Sequence, residues 1–512
     1  ISGEKPFTIG SQEFNFFRMT LELKAELPSE LTLDPPTYES ITGTGKDMVV
    51  DMMAYHQNIP NQPSWRTIPE TTKERFSQPI PTQGIPLKDI YEEFSQHILP
   101  YNKGNVHPRF FAWIQGTGTV SGFLADMLAS AMNPNVTIGE QIPMYVDQQV
   151  VDWCKEMLGF PTEASGILVS GGSMANITCL TVARNTKLGT DFREKGYAGI
   201  QRHPVFYCSS EVHSCVYKAA EILGIGRVNV RKIPVNDEFE LIVEKLETAI
   251  KEDLNKGYFP FCVVATTGTV NSGAIDPLED IYRICQTYDL WMHIDGAYGA
   301  LAKLDDHYAD RLKYIEYADS VAFDLHKWLY VNYEVGCALI RRKEDHRNAF
   351  AITPNYLLPA NRGLAGGPDS INNYGFELSR GFKALKVWMS IKEHGLDKYK
   401  AIISQNDRQA EFLGRLIANS PFLELVAPVS MSIVCYRYVQ VGLSEDELNS
   451  LNQELLILMQ EEGIASPSST VLNGVFCIRV CIVNHRTKNQ DLVALFNTSI
   501  LLGAQLTEGN SY

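Results

Sequence analysis

Between residues 105 and 390, short β-branched or aromatic runs alternate with stretches of helical periodicity. Strand candidates fall at 167–170, 205–208, 228–233, 261–265, 290–294, 320–323 and 337–341. Helical patterns such as 241–254 and 277–288 separate most of them. That alternation predicts an α/β fold, a mostly parallel sheet with helices on both faces. The short interval between Phe323 and Cys337 leaves room for an antiparallel strand.

The flanks read differently. Residues 1 to about 37 form a poorly patterned leader ending in Asp34-Pro-Pro36. An amphipathic helix is predicted over 41–58, with Met48, Val49, Met52 and Met53 on one side. A Pro-, Gln- and Thr-rich connector spans 60–86, and a second helix covers 87–98. Two helices joined by an extended arm bury little by themselves, so a second subunit is the expected packing partner. From about 395, helical runs at 398–419 and 444–462 flank strands at 432–438 and 475–483, which predicts a small α+β domain. The division expected is a leader and arm over 1–104, a large domain over 105–394 and a small one over 395–512.

Length and composition narrow the reading. A chain of 512 residues exceeds one ordinary core. A hydrophobic content of 45% with 21% charged residues is that of a globular protein. A net charge of −15 argues against a nucleic-acid groove or an anionic membrane surface, which both favour basic patches. Ten cysteines without a Cys-x-x-Cys pair suggest neither a metal site nor a disulfide framework, and fit a reducing compartment. Cys477 and Cys481 share one face of a predicted strand and read as core. With no signal-peptide pattern and no bilayer-spanning apolar run, the cytoplasm is the expected location.

Candidate chemistry collects where predicted strands end. Asp324-Leu-His-Lys-Trp328 follows one buried run, and His293-Ile-Asp-Gly-Ala-Tyr298 closes another. In an open α/β sheet, ligands sit at that carboxyl edge. Lys327 can form an imine with an aldehyde, and Asp295 can keep a pyridinium nitrogen protonated, so that the ring draws electrons. Either residue alone reads as surface or scaffold; together on successive strands they suit a Schiff-base cofactor. Ser170-Gly-Gly-Ser-Met-Ala-Asn176 opens a helix, making Gly172, Ser173 and Met174 candidates to cradle a phosphate, although such turns before helices often bind nothing. His213, after strand 205–208, could stack on a planar cofactor or pack as a core histidine. Thr266 could reach a ring oxygen or form a turn. Ala297 would place a small side chain beneath the ring, and His326 would contact phosphate or substrate, or simply pack. Tyr356 lies in a Pro- and Gly-rich segment suited to a lid, where its hydroxyl could protonate a carbanion or stand as an ordinary loop tyrosine.

Together these residues resemble the group II pyridoxal-5′-phosphate decarboxylases, which include aromatic amino acid, glutamate and histidine decarboxylases. The resemblance runs from about Ile41 to Glu393 and more loosely to the end. It is carried by His107-Pro-Arg-Phe-Phe111, Leu124-Ala-Asp-Met-Leu128, Gly171-Gly-Ser173, Val212-His-Ser214, Ala265-Thr-Thr-Gly-Thr269, His293–Tyr298, His326-Lys-Trp328 and Ser379-Arg-Gly-Phe382. It implies the fold type of aspartate aminotransferase, with a seven-stranded sheet, and a two-fold homodimer whose N-terminal arm packs on the partner. It also implies pyridoxal 5′-phosphate joined to Lys327, Asp295 on the pyridine nitrogen and His213 on the ring. Gly172, Ser173 and His326 would lie near the phosphate, and Thr266 near the ring or the substrate carboxylate. Tyr356 would protonate the quinonoid carbanion after carbon dioxide leaves; in related aldehyde synthases that position is typically Phe, so Tyr favours plain decarboxylation. Arg380 matches an arginine whose implied role is structural or lid-supporting.

One departure bears on substrate. Where aromatic decarboxylases carry apolar residues that contact the substrate ring across the dimer, this chain has Ala131–Gly139, with Asn135 and Thr137 near those positions. Trp113 and Ile114 leave one apolar wall. A polar, acidic or mixed substrate is therefore as compatible as an aromatic one. The leading expectation is an L-amino-acid carboxy-lyase. The alternatives are an aldehyde synthase, another cofactor-dependent lyase or transaminase, or a catalytically silent scaffold.

Overall fold

A seven-stranded sheet forms the larger half of the molecule, in the order β1-β7-β6-β5-β4-β2-β3. Its strands are β1 (Ser165–Val169), β2 (Pro204–Ser209), β3 (Val230–Ile233), β4 (Phe259–Thr266), β5 (Trp291–Asp295), β6 (Ser320–Asp324) and β7 (Gly336–Ile340). The computed structural model describes residues 31–352 and 360–509. Strands β3, β2, β4, β5 and β6 pair in parallel, while β7 runs antiparallel to both β6 and β1. Six strands thus end at one edge and β7 begins there. This is the mostly parallel sheet expected, with the reversed strand in the place left open for it.

Both faces of this sheet are covered, and for that reason strands β2, β5, β6 and β7 are buried along their whole length rather than on alternate residues. Along β2, Val205 and Tyr207 join the core on one face and Phe206 and Cys208 the core on the other. The helices Ile142–Leu158 and Leu278–Tyr288 bury residues on the first face; Gly172–Leu188 and Ser214–Ile222 bury theirs on the second.

A second, antiparallel sheet has the order β10-β11-β9-β8, built from β8 (Leu423–Leu425), β9 (Ile433–Tyr438), β10 (Ser468–Leu472) and β11 (Val475–Cys481). Helices Leu396–Ala418, Glu445–Glu461 and Asn489–Gly509 pack on it around Tyr436, Ile478 and Val480. A capping box of Ser444 and Glu447 starts the second of these helices. Cys477 and Cys481 are buried, as their shared face requires, and all ten cysteines are free. Both sheets together give the fold type anticipated.

The chain divides into two compact units. Among the described residues, the first comprises 31–54 together with Pro79–Gln96. In it, the Tyr91 hydroxyl donates to Asp51 Oδ2 at 2.7 Å, and helix Leu87–His97 has no buried residue. The second unit holds Tyr55–Gln78 and everything from His97 onward, including both sheets.

Several elements differ from the sequence expectation. The connector over 60–86 contains the short helix Glu70–Arg75, opened by Pro69. The third strand starts at Val230, because Val228 lies exposed in the turn Arg227–Asn229. β8 is three residues long, and β10 alternates two buried ends with a more exposed middle in a polar sequence, Ser-Ser-Thr-Val-Leu.

Candidate active site

At the edge where six strands end, a cavity of about 460 Å³ opens. Most of the contributing segments leave a strand. Ser170–Met174 follow β1, His213 and Cys215 follow β2, and Thr266, Gly268 and Val270 come from β4 and its turn. Asp295, Ala297 and Tyr298 close β5, Asp324, His326 and Lys327 close β6, and Tyr333 and Glu334 precede β7. Trp113 and Ile114 complete the lining. Of the residues singled out in the sequence, Gly172, Ser173, Met174, His213, Thr266, Asp295, Ala297, His326, Lys327, Trp113 and Ile114 therefore share one cavity.

Tight backbone contacts shape this edge. A Cβ on Gly172 would stand 2.8 Å from Asp324 Oδ2 and 2.9 Å from Ala297 Cβ, so only glycine lets the start of helix Gly172–Leu188 approach so closely. A Cβ on Gly116 would lie 1.8 Å from the His326 carbonyl oxygen, so the segment carrying Trp113 and Ile114 needs glycine to rest on the turn that carries Lys327. Buried His293 on β5 links these parts: Nε2 meets Asn176 Oδ1 at 2.8 Å and Nδ1 meets Ser320 Oγ at 2.9 Å. Asn176 Nδ2 in turn donates to the Gly172 carbonyl at 2.9 Å.

The charges are arranged around Lys327. Its side chain is 20% exposed, and Nζ lies 2.9 Å from Asp324 Oδ2. Burial works to lower the ammonium's pKa, but the Asp324 charge and hydrogen bond, aided by Asp295, turn the net shift upward. His213 Nδ1 accepts from the Cys215 amide at 3.2 Å, and burial lowers its pKa despite the attraction of Asp295. Burial likewise lowers His326, with Asp324 opposing. Both rings are thereby favoured as neutral. Asp295 Oδ1 accepts from the Ala297 amide at 3.2 Å.

Asn135 and Thr137 are not among the residues lining this chain's cavity. Thr137 Oγ1 donates to Asn135 Oδ1 at 2.8 Å, and the same oxygen accepts from the Arg380 amide at 2.9 Å. Arg380 reaches the carbonyls of Val136 and Leu168 at 2.9 and 2.8 Å. These side chains are occupied in tying loop to loop. Tyr356 lies outside the described residues.

Sequence reasoning gave no role to Asp324, Tyr333, Glu334 or Tyr298. Asp324 stood within the leading motif, and its spacing of three from Lys327 was the available signal. Tyr333 packs against His326 with ring centroids 4.3 Å apart, and Glu334 accepts from Lys383 Nζ at 3.0 Å. Tyr298 stacks on Trp328 at 4.9 Å and its hydroxyl accepts from the Ser432 amide, joining the cavity floor to the small sheet.

A group with an aldehyde, a ring nitrogen and a phosphate fits these residues. Thr266 Oγ1 is buried without a hydrogen-bond partner, a hydroxyl in need of an acceptor. The glycine turn at a helix amino terminus suits a phosphate. The lysine and two carboxylates supply the remaining contacts.

Comparison with known proteins agrees with this chemistry. The model of the pyridoxal-dependent decarboxylase conserved domain matches residues 69–439. An aromatic-L-amino-acid decarboxylase of Bacillus atrophaeus is 34% identical over 451 residues, covering 87% of this chain and 92% of that protein. Tyrosine decarboxylase 4 of Petroselinum crispum is 29% identical, covering 91% and 92%. The crystal structure of Oryza sativa TDC with PLP and tryptamine superposes with a TM-score of 0.85 at 23% identity, covering 93% of this chain and all of that one, which shows the shared fold. The chain belongs to the pyridoxal-dependent decarboxylase family: it is a PLP-dependent carboxy-lyase acting on an amino acid.

Proposed function

We propose that Lys327 carries the cofactor, Asp295 pairs with its ring nitrogen and His213 lies against its ring. In the same reading Gly172, Ser173, Met174 and His326 hold the phosphate, with Thr266 and Ala297 at the ring. The observation that carries this is the convergence of Lys327 and Asp295, from neighbouring strands β6 and β5, on one cavity. The bound cofactor supplies an electron sink for the bond to the departing carboxylate. The protein's own part is positional and electrostatic. Asp295 presents a fixed negative charge, neutral His213 offers a flat face, and the orphaned Thr266 hydroxyl donates to an oxygen. Borohydride reduction of the loaded protein followed by peptide mapping places the label on Lys327; a label on another lysine sinks this assignment.

The substrate we propose is an L-amino acid with a flat, apolar side chain. Trp113, Ile114 and Val270 in the cavity lining support it, as does the Bacillus relative's name. The polar character read from Asn135 and Thr137 loses weight, since their side chains are engaged with each other and with residues 378–380. A panel of amino acids scored by carbon dioxide release tests this; preference for acidic over aromatic substrates overturns it.

Tyr356 is the proposed proton donor to the carbanion left by carbon dioxide. A homodimer is proposed as well: Val50 and Met53 on helix Glu39–Asn58, and Ile90 on Leu87–His97, are exposed apolar residues that a second subunit would cover. Sedimentation giving the mass of a single chain overturns it. Ten free cysteines support a reducing compartment, and the cytoplasm is the proposed location.

A further inference from the structure

We propose that Asp324 is the counter-ion of Lys327, a positioning residue that aims the lysine and holds a proton on Nζ. The proposal deepens the reading above and rests on Lys327 being the cofactor lysine.

Geometry sets Asp324 apart from the other acid in the cavity. It is the last residue of β6, only 2% exposed, and Lys327 follows three residues later on the turn Leu325–Trp328. Oδ2 lies 2.9 Å from Lys327 Nζ and 3.7 Å from His326 Nε2. Oδ1 is buried without a hydrogen-bond partner. The carboxylate is boxed in by backbone: an added Cβ on Gly172 would approach Oδ2 to 2.8 Å, and one on Gly336 would approach Oδ1 to 2.8 Å. It therefore has little room to turn away, and a lysine that pairs with it is drawn toward the end of β6.

The charged and titratable groups around Nζ come from every neighbouring segment. Asp324 and His326 share its own turn, Asp295 faces it from β5, His213 from the helix start after β2, and Tyr333 from the loop before β7. Asp324 makes the direct contact and Asp295 adds a weaker attraction. A buried carboxylate stripped of its cation is costly, so the pairing favours the charged form of Lys327. Once the nitrogen is joined to an aldehyde carbon of the cofactor, a proton held on it by Asp324 would make that carbon easier for an incoming amine to attack.

The experiment compares wild type with Asp324→Asn, Asp324→Ser and Asp324→Glu. The visible absorbance of the bound cofactor is titrated with pH. In the cofactor-free chains, the pH dependence of Lys327 acetylation is read by mass spectrometry. Removing the carboxylate is expected to lower both midpoints by roughly one pH unit or more, with Glu restoring most of the shift. Either neutral variant suffices, provided its circular dichroism shows it folded. Unchanged midpoints in a folded neutral variant overturn the counter-ion role. Failure of the underlying reading looks different: borohydride then labels a lysine other than 327 in wild type itself.

Discussion

Thr266 and Asp295 are partners in the β4–β5 ladder, each the last residue of its strand, so they stand side by side where the cavity opens. The Thr266 amide donates to Asp276 Oδ2 at 2.8 Å, which fixes the strand end while leaving the side-chain hydroxyl unpartnered.

That unpartnered hydroxyl separates folding from cofactor binding. Thr266→Val keeps the shape and removes a hydroxyl that no other protein group bonds. The variant's Tm without cofactor is expected to equal or exceed that of wild type, while its affinity for pyridoxal 5′-phosphate falls roughly five- to tenfold, the worth of one hydrogen bond. Thermal melts and fluorescence titration check the two arms.

Gly172→Ala tests the cradle. The new methyl meets Asp324 Oδ2 at 2.8 Å and Ala297 Cβ at 2.9 Å, neither of them the end of a flexible chain. Overpacking of this kind costs about 1–3 kcal/mol. The expected outcome is a folded chain whose cofactor affinity drops by at least tenfold, read by equilibrium dialysis.

Stability should fall on mild acidification. Burial lowers the His293 pKa from 6.5 to about 4. The unfolded chain then binds more protons than the folded one between those values, so stability is full above pH 6.5 and lost as pH drops toward 4. The His293 contribution amounts to about 3 kcal/mol at the acid end. Urea melts across this window should show the loss, and His293→Gln should flatten its slope.

Tyr356→Phe addresses reaction outcome. If the tyrosine delivers the proton to the carbanion, its removal lets oxygen compete. Product analysis is expected to shift from amine toward aldehyde, ammonia and peroxide, with carbon dioxide released on either route and oxygen consumed on the second. An unchanged product ratio would count against the tyrosine as donor.

The ends of β5 and β6 could be read from sequence because a buried parallel strand announces its end abruptly, with apolar residues giving way to Asp295 and Asp324. The same logic exposed Thr266 and the Gly171–Ser173 turn. Asp324 was visible but carried no role, since a strand-terminal aspartate has many structural uses and only three-dimensional proximity to Nζ distinguishes them. Tyr333 and Glu334 gave no signal, because nothing in a linear pattern tells that the loop before a reversed strand returns to the same edge. Asn135 and Thr137 were legible as polar residues, but the bonds that tie Asn135 to Leu378 and Arg380 reach segments 243 and 245 residues away. β10 hid because an edge strand with polar residues lacks the apolar run that marked the others.

The reversed strand β7 has a mechanical consequence. Lys327 sits at the bend between β6 and β7, adjacent strands flanked on either side by β5 and β1. No long crossover helix intervenes that could unravel and release it. The lysine follows the end of β6 by three residues, and β6 lies inside the sheet, among the strands that open last in a folded domain. The tether should therefore survive fraying at the periphery, and the colour of the bound cofactor should vanish only as the whole large sheet melts.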